Sequence, residues 1–436
     1  MIIQVNLKNF KSYRSAALHL ARLTVLIGAN ASGKSNVIEA LRLLARIAEG
    51  KRLGSIGAPN QNGESIFRGG VVNLGYKGAN SFGISCITTE PEWKKFEIEL
   101  GVGDDGDLHV IEEKIISATS IVPLYEITSE PQAAGGDVFV NYNNFVRGGK
   151  KPSIVCSSHM AILTQLLADS RFRPENTKSR KIIPEIAEKY MHWLSSIVFL
   201  DPEPSTMRSS GRKTDKVLKE HGENLSGVIY NLCRNSAVKA AILEFIQCLH
   251  EQDIEDISFV EIAHNQVLLQ LTETFRGSSA TYDAAMLSDG TLRVLSIAAA
   301  MLSAPEHSLV VIESLDQGVH PSRAADLLGR ISSIAKERSL RVLLSSHNPA
   351  LLDALPDEAV PATVFCYRSP EDGSSQLVRL RDIPDYPALI AQGSVGHLMT
   401  HGLLERGVKQ YPGAKQKQQK AMKWLAALNF TGDAEE

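Results

Sequence analysis

Long apolar runs are missing from this 436-residue chain. No stretch approaches the roughly 18 residues that a membrane helix needs, so no membrane association is expected. The opening MIIQVNLKNFKSY lacks a basic region followed by a continuous apolar core and a small-residue cleavage site, which argues against a secretory signal. Cysteine is scarce and unpatterned. Cys86, Cys156, Cys233, Cys248 and Cys366 are odd in number, widely spaced and free of CxxC pairs, which points to reduced structural thiols in a cytoplasm and away from a zinc site. An excess of one charge is lacking as well: a formal net charge of −3 excludes a surface that is basic throughout and binds nucleic acid everywhere. There is no internal repeat and no sustained heptad, so no long coiled-coil arm is expected.

What is present is length enough for two or three lobes. Ile2–Leu7, Ala17–Leu20 and Leu23–Ile27 read as strands, and Asn36–Ala48 as a helix. Ser81–Thr88, Phe96–Val102, Leu108–Ser117 and Val138–Tyr142 follow as an antiparallel lobe. Helical periodicity then dominates, over Ile183–Ile197 and Gly227–His250, with a strand-like VFL before Asp201. Beyond the strands Ile257–Val260 and Val267–Thr272, the order becomes helix Thr291–Leu302, strand Ser308–Ile312, helix Ser322–Lys336 and strand Arg341–Ser345, the alternation of parallel βα units. Pro361–Tyr367 and Ser375–Leu380 are expected as edge strands. The predicted division is an N-terminal lobe over 1–157, a locally basic helical insertion over 158–254, a C-terminal lobe over 255–370 and a helical tail over 371–436. From Arg147 to Glu220 there are 14 Lys or Arg against 8 Asp or Glu. That stretch reads either as a solvated surface or as a face for nucleic acid or an acidic partner.

The segment GANASGKSN places Gly28, Gly33, Lys34 and Ser35 at the spacing GxxxxGK[ST]. Small residues let backbone N–H groups curl around phosphates, with Asn30 and Asn36 in the same loop. Lys34 reaches the β- and γ-phosphates, and the Ser35 hydroxyl ligates Mg²⁺. An apolar strand before the loop and a helix after it put the anion on a helix N-terminus. ATP with Mg²⁺ is the expected ligand.

Three distant segments bear on this site. LSDGTLR, with Ser288 and Gly290, precedes a helix and by itself reads as a helix cap or an anion site. SLVVIESLDQGVHP carries an apolar strand into Glu313, where a carboxylate can hold the metal's hydration shell beside Ser35. LLSSHNP ends a strand at His347, which suits either a capping histidine or a partner of the γ-phosphate and the attacking water.

Together, GANASGKSN, LSDGTLR, IESLDQGVHP and SSHNP resemble the Walker A, signature, Walker B with D-loop, and switch-histidine motifs of ABC-type ATPase heads. The NFKS segment is similar to that of the soluble SMC, RecF and OLD-like branch; NLSGVIYNLC from Asn224 is a weaker signature match. The resemblance implies an α/β ABC-type ATPase head with a mixed, largely parallel sheet, an antiparallel β lobe and a helical insertion. It also implies a homodimer or higher oligomer in which Ser288 and Gly290 of one chain meet the γ-phosphate held by Lys34 of another. One position departs from the family: Ser314 stands where a catalytic glutamate usually follows Glu313. A neutral hydroxyl is a poor base, so hydrolysis is expected to be slow or partner-dependent, with Asp316 or His347 helping to position water. Gln61 is the available glutamine for a Q-loop. The resemblance implies an ATP-gated switch or scaffold for a separate nuclease or toxin in anti-phage defence, since no HNH-like histidine cluster appears and 371–436 is too short for a TOPRIM domain. A RecF- or SMC-like ATPase acting on DNA is the alternative, ahead of a transporter subunit.

Overall fold

The computed structural model describes residues 1–57, 67–103, 106–128, 136–247, 253–316, 321–409 and 422. Its centre is a six-stranded sheet in the order Val198–Leu200, Leu309–Ile312, Arg341–Ser345, Leu23–Ile27, Val364–Arg368, Ser375–Arg379. The first five strands are mutually parallel and the last is antiparallel. Leu23–Ile27 and Leu309–Ile312 are buried at every position, as expected for parallel strands covered on both faces. Strand alternation divides their side chains between two cores. Leu26, Leu309, Val311 and Leu343 face the core built on the helix Lys34–Ala48, whereas Val25, Ile27, Val310, Ile312 and Leu344 face the one built on Asp289–Ser303 and Ala324–Glu337.

An eight-stranded antiparallel sheet flanks the first core, running from Tyr13–His19 and Ile2–Phe10 through Ser81–Thr88, Lys95–Val102 and Leu108–Ile116 to Ser153–Ser157. A four-stranded antiparallel sheet lies beside the second, with Gln266–Phe275 pairing Gly211–Arg212, Ile254–Ile262 and Ser278–Asp283. The fold is therefore mixed α/β with parallel and antiparallel sheets.

Several expectations are corrected. Within 158–254 the strand-like VFL is a strand, Val198–Leu200, hydrogen-bonded into the central sheet, and the unforeseen Gly211–Arg212 pairs into the four-stranded one. The predicted helix Gly227–His250 is two helices, Leu225–Cys233 and Ser236–Ile246, because the Asn235 side chain accepts from Ala237 N at 3.0 Å and caps a new start. Val364–Arg368 is an interior strand, since it pairs with Leu23–Ile27 on one side and Ser375–Arg379 on the other. Ser375–Arg379 is the true edge, and it places the beginning of the supposed tail inside the central sheet. Among the described residues, no helix is long and apolar enough to cross a membrane.

Candidate functional site

The strand Leu23–Ile27 ends at Gly28, with φ 146°, and the loop turns into its helix at Gly33, with φ 120°. Both positions require glycine twice over, because a Cβ at Gly28 would collide with the Cys366 carbonyl and one at Gly33 with Ser375 Oγ. Neighbours hold the loop from beneath. Tyr13 OH donates to Gly33 O at 3.0 Å, Cys366 Sγ to Ser32 O at 3.3 Å, Ser375 Oγ to Ser32 O at 2.5 Å, and Arg368 Nε to Ala31 O at 3.0 Å. Asn36 Nδ2 donates to Ser12 Oγ at 2.7 Å. Burial pushes the Tyr13 hydroxyl and the Cys366 thiol up, so both stay neutral donors.

A cavity of about 410 Å³ opens above the loop, a size suited to a nucleotide. Asn30, Gly33, Lys34, Ser35 and Asn36 form one wall; Glu313, Ser314, Ser345, Ser346 and His347, from the carboxyl ends of two adjacent strands, form the other. Lys34 Nζ donates to Gly28 O at 2.7 Å and Ala29 O at 3.1 Å, folded over its own loop. Burial lowers its ammonium from the ordinary lysine value, while Cys366 and Asp316 pull the other way.

Glu313 lies at the end of Leu309–Ile312 and is anchored by its backbone N–H on Leu200 O at 2.9 Å. Its Oε1 is paired with Arg42, which also pairs with Glu220 and lies 5.0 Å over the Phe199 ring. Ser314 takes φ 51° and donates its N–H to Ser345 Oγ at 3.1 Å. Asp316 does not line the cavity, but its Oδ2 is 3.6 Å from His347 Nδ1. The Asp316 side chain is only 7% exposed and its Oδ1 is buried with no partner among the described residues, whereas His347 is 57% exposed.

Ser288 and Gly290 are not at this cavity. Ser288 caps the helix Asp289–Ser303, its Oγ accepting from Thr291 N at 3.1 Å. Arg208 fastens that corner, donating to Leu287 O at 2.7 Å and Asp289 Oδ1 at 2.5 Å. The weaker signature match is corrected: Ser226 is fully buried and donates to Ser209 O at 3.0 Å. Gln61 and residues 317–320 of the D-loop segment lie outside the described residues.

The sequence reading missed Arg42, Arg68 and Arg368, and of the SSHNP motif it singled out only His347, not Ser345 and Ser346. Arg42 carried a signal, since Lys34, Ile38 and Arg42 share one helix face at intervals of four and Ile38 also lines the cavity. Arg68 follows a glycine-rich linker whose path no motif encodes, and it too lines the cavity.

Residues 1–92 match a family model described as an AAA ATPase domain, and 170–353 match one described as an AAA domain, putative AbiEii toxin, Type IV TA system. Both stretches are thus similar to AAA-type ATPase domains. These two segments supply both walls of the cavity, the phosphate loop from one and Glu313 with His347 from the other. No curated protein matches the chain. Similar solved structures include an SMC head bound to the C-winged helix domain of ScpA, with 14% identity, a TM-score of 0.44, and coverage of 86% of this chain and 96% of that one. The SMC head domain from Thermotoga maritima shows 13% identity and a TM-score of 0.40, over 87% and 98%. The Smc head with an extended coiled coil bound to the C-terminal domain of ScpA, derived from Pyrococcus furiosus, shows 13% and 0.46, over 90% and 98%.

The cavity fits ATP and Mg²⁺. The φ values of Gly28 and Gly33, the unfilled space beside Ser35, and the helix start at Lys34, whose first amides lack intrahelical acceptors, form an anion cradle. Ser35 and Glu313 face the same space as oxygen donors for a hard cation.

Proposed function

We propose that the chain is an ATP-binding switch that dimerises, or assembles further, on its nucleotide and hydrolyses it slowly or only with a partner. When bound, Mg-ATP supplies the phosphate charge that two chains could share. In this reading Gly28, Asn30, Gly33, Lys34, Ser35 and Asn36 hold the triphosphate, and Ser35 with Glu313 holds the metal. His347, oriented by Asp316, faces the γ-phosphate end. The single observation that carries the reading is the pairing of an intact phosphate cradle with Ser314 at the position after Glu313. Binding groups converge on the cavity, but the side chain beside Glu313 is a hydroxyl, which cannot act as a carboxylate base. Ser288, lying outside its own chain's cavity at a helix start, is free to serve the cavity of a second copy.

The family description that covers 170–353 names a putative toxin of a toxin–antitoxin system. It supports a role in anti-phage defence, in which the switch controls a separate nuclease or toxin. The alternative, a RecF- or SMC-like ATPase acting on DNA, draws on the basic stretch 147–220, where Arg147, Lys150, Arg173 and Lys181 are exposed. Mass measurement with and without ATP tests the switch. The wild type is expected to gain mass on Mg-ATP and Lys34→Ala to remain unchanged; association indifferent to both nucleotide and substitution would contradict it.

A further inference from the structure

At the opposite edge of the central sheet, where the parallel strands begin, lies a second cavity of about 560 Å³. Its walls include Arg22 just before the strand Leu23–Ile27, Arg341 at the first position of Arg341–Ser345, and His307 just before Leu309–Ile312. Trp193, near the end of the helix Thr177–Ser195, adds an aromatic surface, and Thr89 and Ser339 add hydroxyls. None of the described lining residues is acidic, and neither arginine forms an ion pair among the described residues. The nearest glutamates on these segments are not among the lining residues: Glu90, close enough to act on the Met1 ammonium, is paired with Lys189 at 3.7 Å, and Glu306 does not line the cavity.

Two guanidiniums brought together without a carboxylate repel each other unless an anion lies between them. Arg341 is half-buried and anchored to Leu20 O, and burial, then Arg22, lowers its affinity for its proton. Its Nη1 and Nε are taken by Leu20 O and Met1 Sδ, and a planar guanidinium's remaining in-plane donors, like those of Arg22, recognise phosphate in preference to a diffuse anion. An adjacent Trp face suits a flat ring, and the volume is that of small-ligand sites.

We propose that this cavity binds a small phosphorylated ligand carrying an aromatic base, a ligand of the nucleotide class, at a site separate from the phosphate loop. Arg22 and Arg341 take the phosphate, with His307 beside them, and Trp193 stacks on the ring. Leu23–Ile27 and Arg341–Ser345 run directly from these arginines to Gly28 and to Ser346 of the first cavity, so two adjacent strands join the sites.

The test uses the full chain carrying Lys34→Ala, which removes the phosphate-loop lysine from the readout. Calorimetric titration with AMP, and separately with pyrophosphate, is combined with tryptophan fluorescence. AMP is expected to bind at one site and quench fluorescence, with the quenching lost in Trp193→Phe. Arg22→Gln, a change at an exposed residue that should fold normally, is expected to weaken AMP about tenfold, one charge-assisted hydrogen bond being lost. Absence of AMP binding, or binding indifferent to both Arg22→Gln and Trp193→Phe, would overturn the proposal. Pyrophosphate binding as tightly as AMP would overturn the nucleotide class.

Discussion

At the scale of single residues, two side chains around Glu313 determine what the first cavity can do. Ser314 sits at φ 51°, a left-handed conformation that costs a non-glycine residue about 1–2 kcal/mol. Glutamate meets the same cost there, so Ser314→Glu should leave stability nearly unchanged while adding a carboxylate base beside the water's position. A phosphate-release assay should then show turnover rising by roughly 10²- to 10⁴-fold, the range a general base supplies. A wild type that is already fast and is unmoved by the substitution would remove the basis for a holding function. Arg42 is the second determinant, because it stands between Glu313 and Glu220 and is itself largely buried. Arg42→Leu leaves two carboxylates facing one another without a cation. Denaturant unfolding should report a loss of about 3 kcal/mol, as for other half-buried pairs stripped of one partner. A loss below about 0.5 kcal/mol, the level of an exposed pair, would show that Arg42 is not holding Glu313.

At the scale of elements, the antiparallel lobe contains a pH-sensitive joint. Glu113, on the strand Leu108–Ile116, is fully buried and accepts from Tyr125 OH at 2.7 Å, Ile162 N at 2.8 Å and Leu163 N at 2.6 Å, tying that strand to the helical turn Ile162–Gln165. Burial pushes its carboxyl up to about 7, against the three donors. The folded chain therefore holds this proton more tightly than the unfolded chain, and stability falls as pH rises from about 4.5 to about 7. The fall amounts to roughly 3 kcal/mol at most. Thermal midpoints measured across that window should decline in the wild type and flatten in Glu113→Gln; parallel profiles would contradict the assignment. Individual elements illustrate how much of the fold could be read from residues. Ser81–Thr88 and Leu23–Ile27 match their predicted bounds, because alternation and continuous β-branched runs are local signals. The helix Thr177–Ser195 begins six residues before its predicted start, because Thr177–Ile182 is largely polar and carries little apolar periodicity, and Pro184 lies inside the helix. The contribution of Val198–Leu200 to the central sheet was invisible, since three apolar residues do not specify which strand they will pair with.

At the scale of the whole molecule, the first cavity is built from parts almost 320 residues apart, and its motifs were legible because each ends a buried strand in a small polar or charged group. Arg42 was legible only as a helix position in line with Lys34 and Ile38, since a charge on a helix normally faces water and only packing brings it inward, and Arg68, 71% exposed, had no motif to mark it. The motif that the cavity leaves out, Ser288 with Gly290, gives the sharpest test of assembly. If two chains exchange these groups, each site combines one chain's Lys34 with the other chain's Ser288. Lys34→Ala and Ser288→Glu should then each abolish nucleotide turnover alone. Mixed in equal amounts, half of the dimers pair one variant with the other, and each mixed dimer contains one site in which both groups are native. The mixture should recover about a quarter of wild-type turnover, as the two-fold symmetry of an isologous dimer requires. A mixture as inactive as its components would mean that Ser288 serves only as the helix cap seen in its own chain.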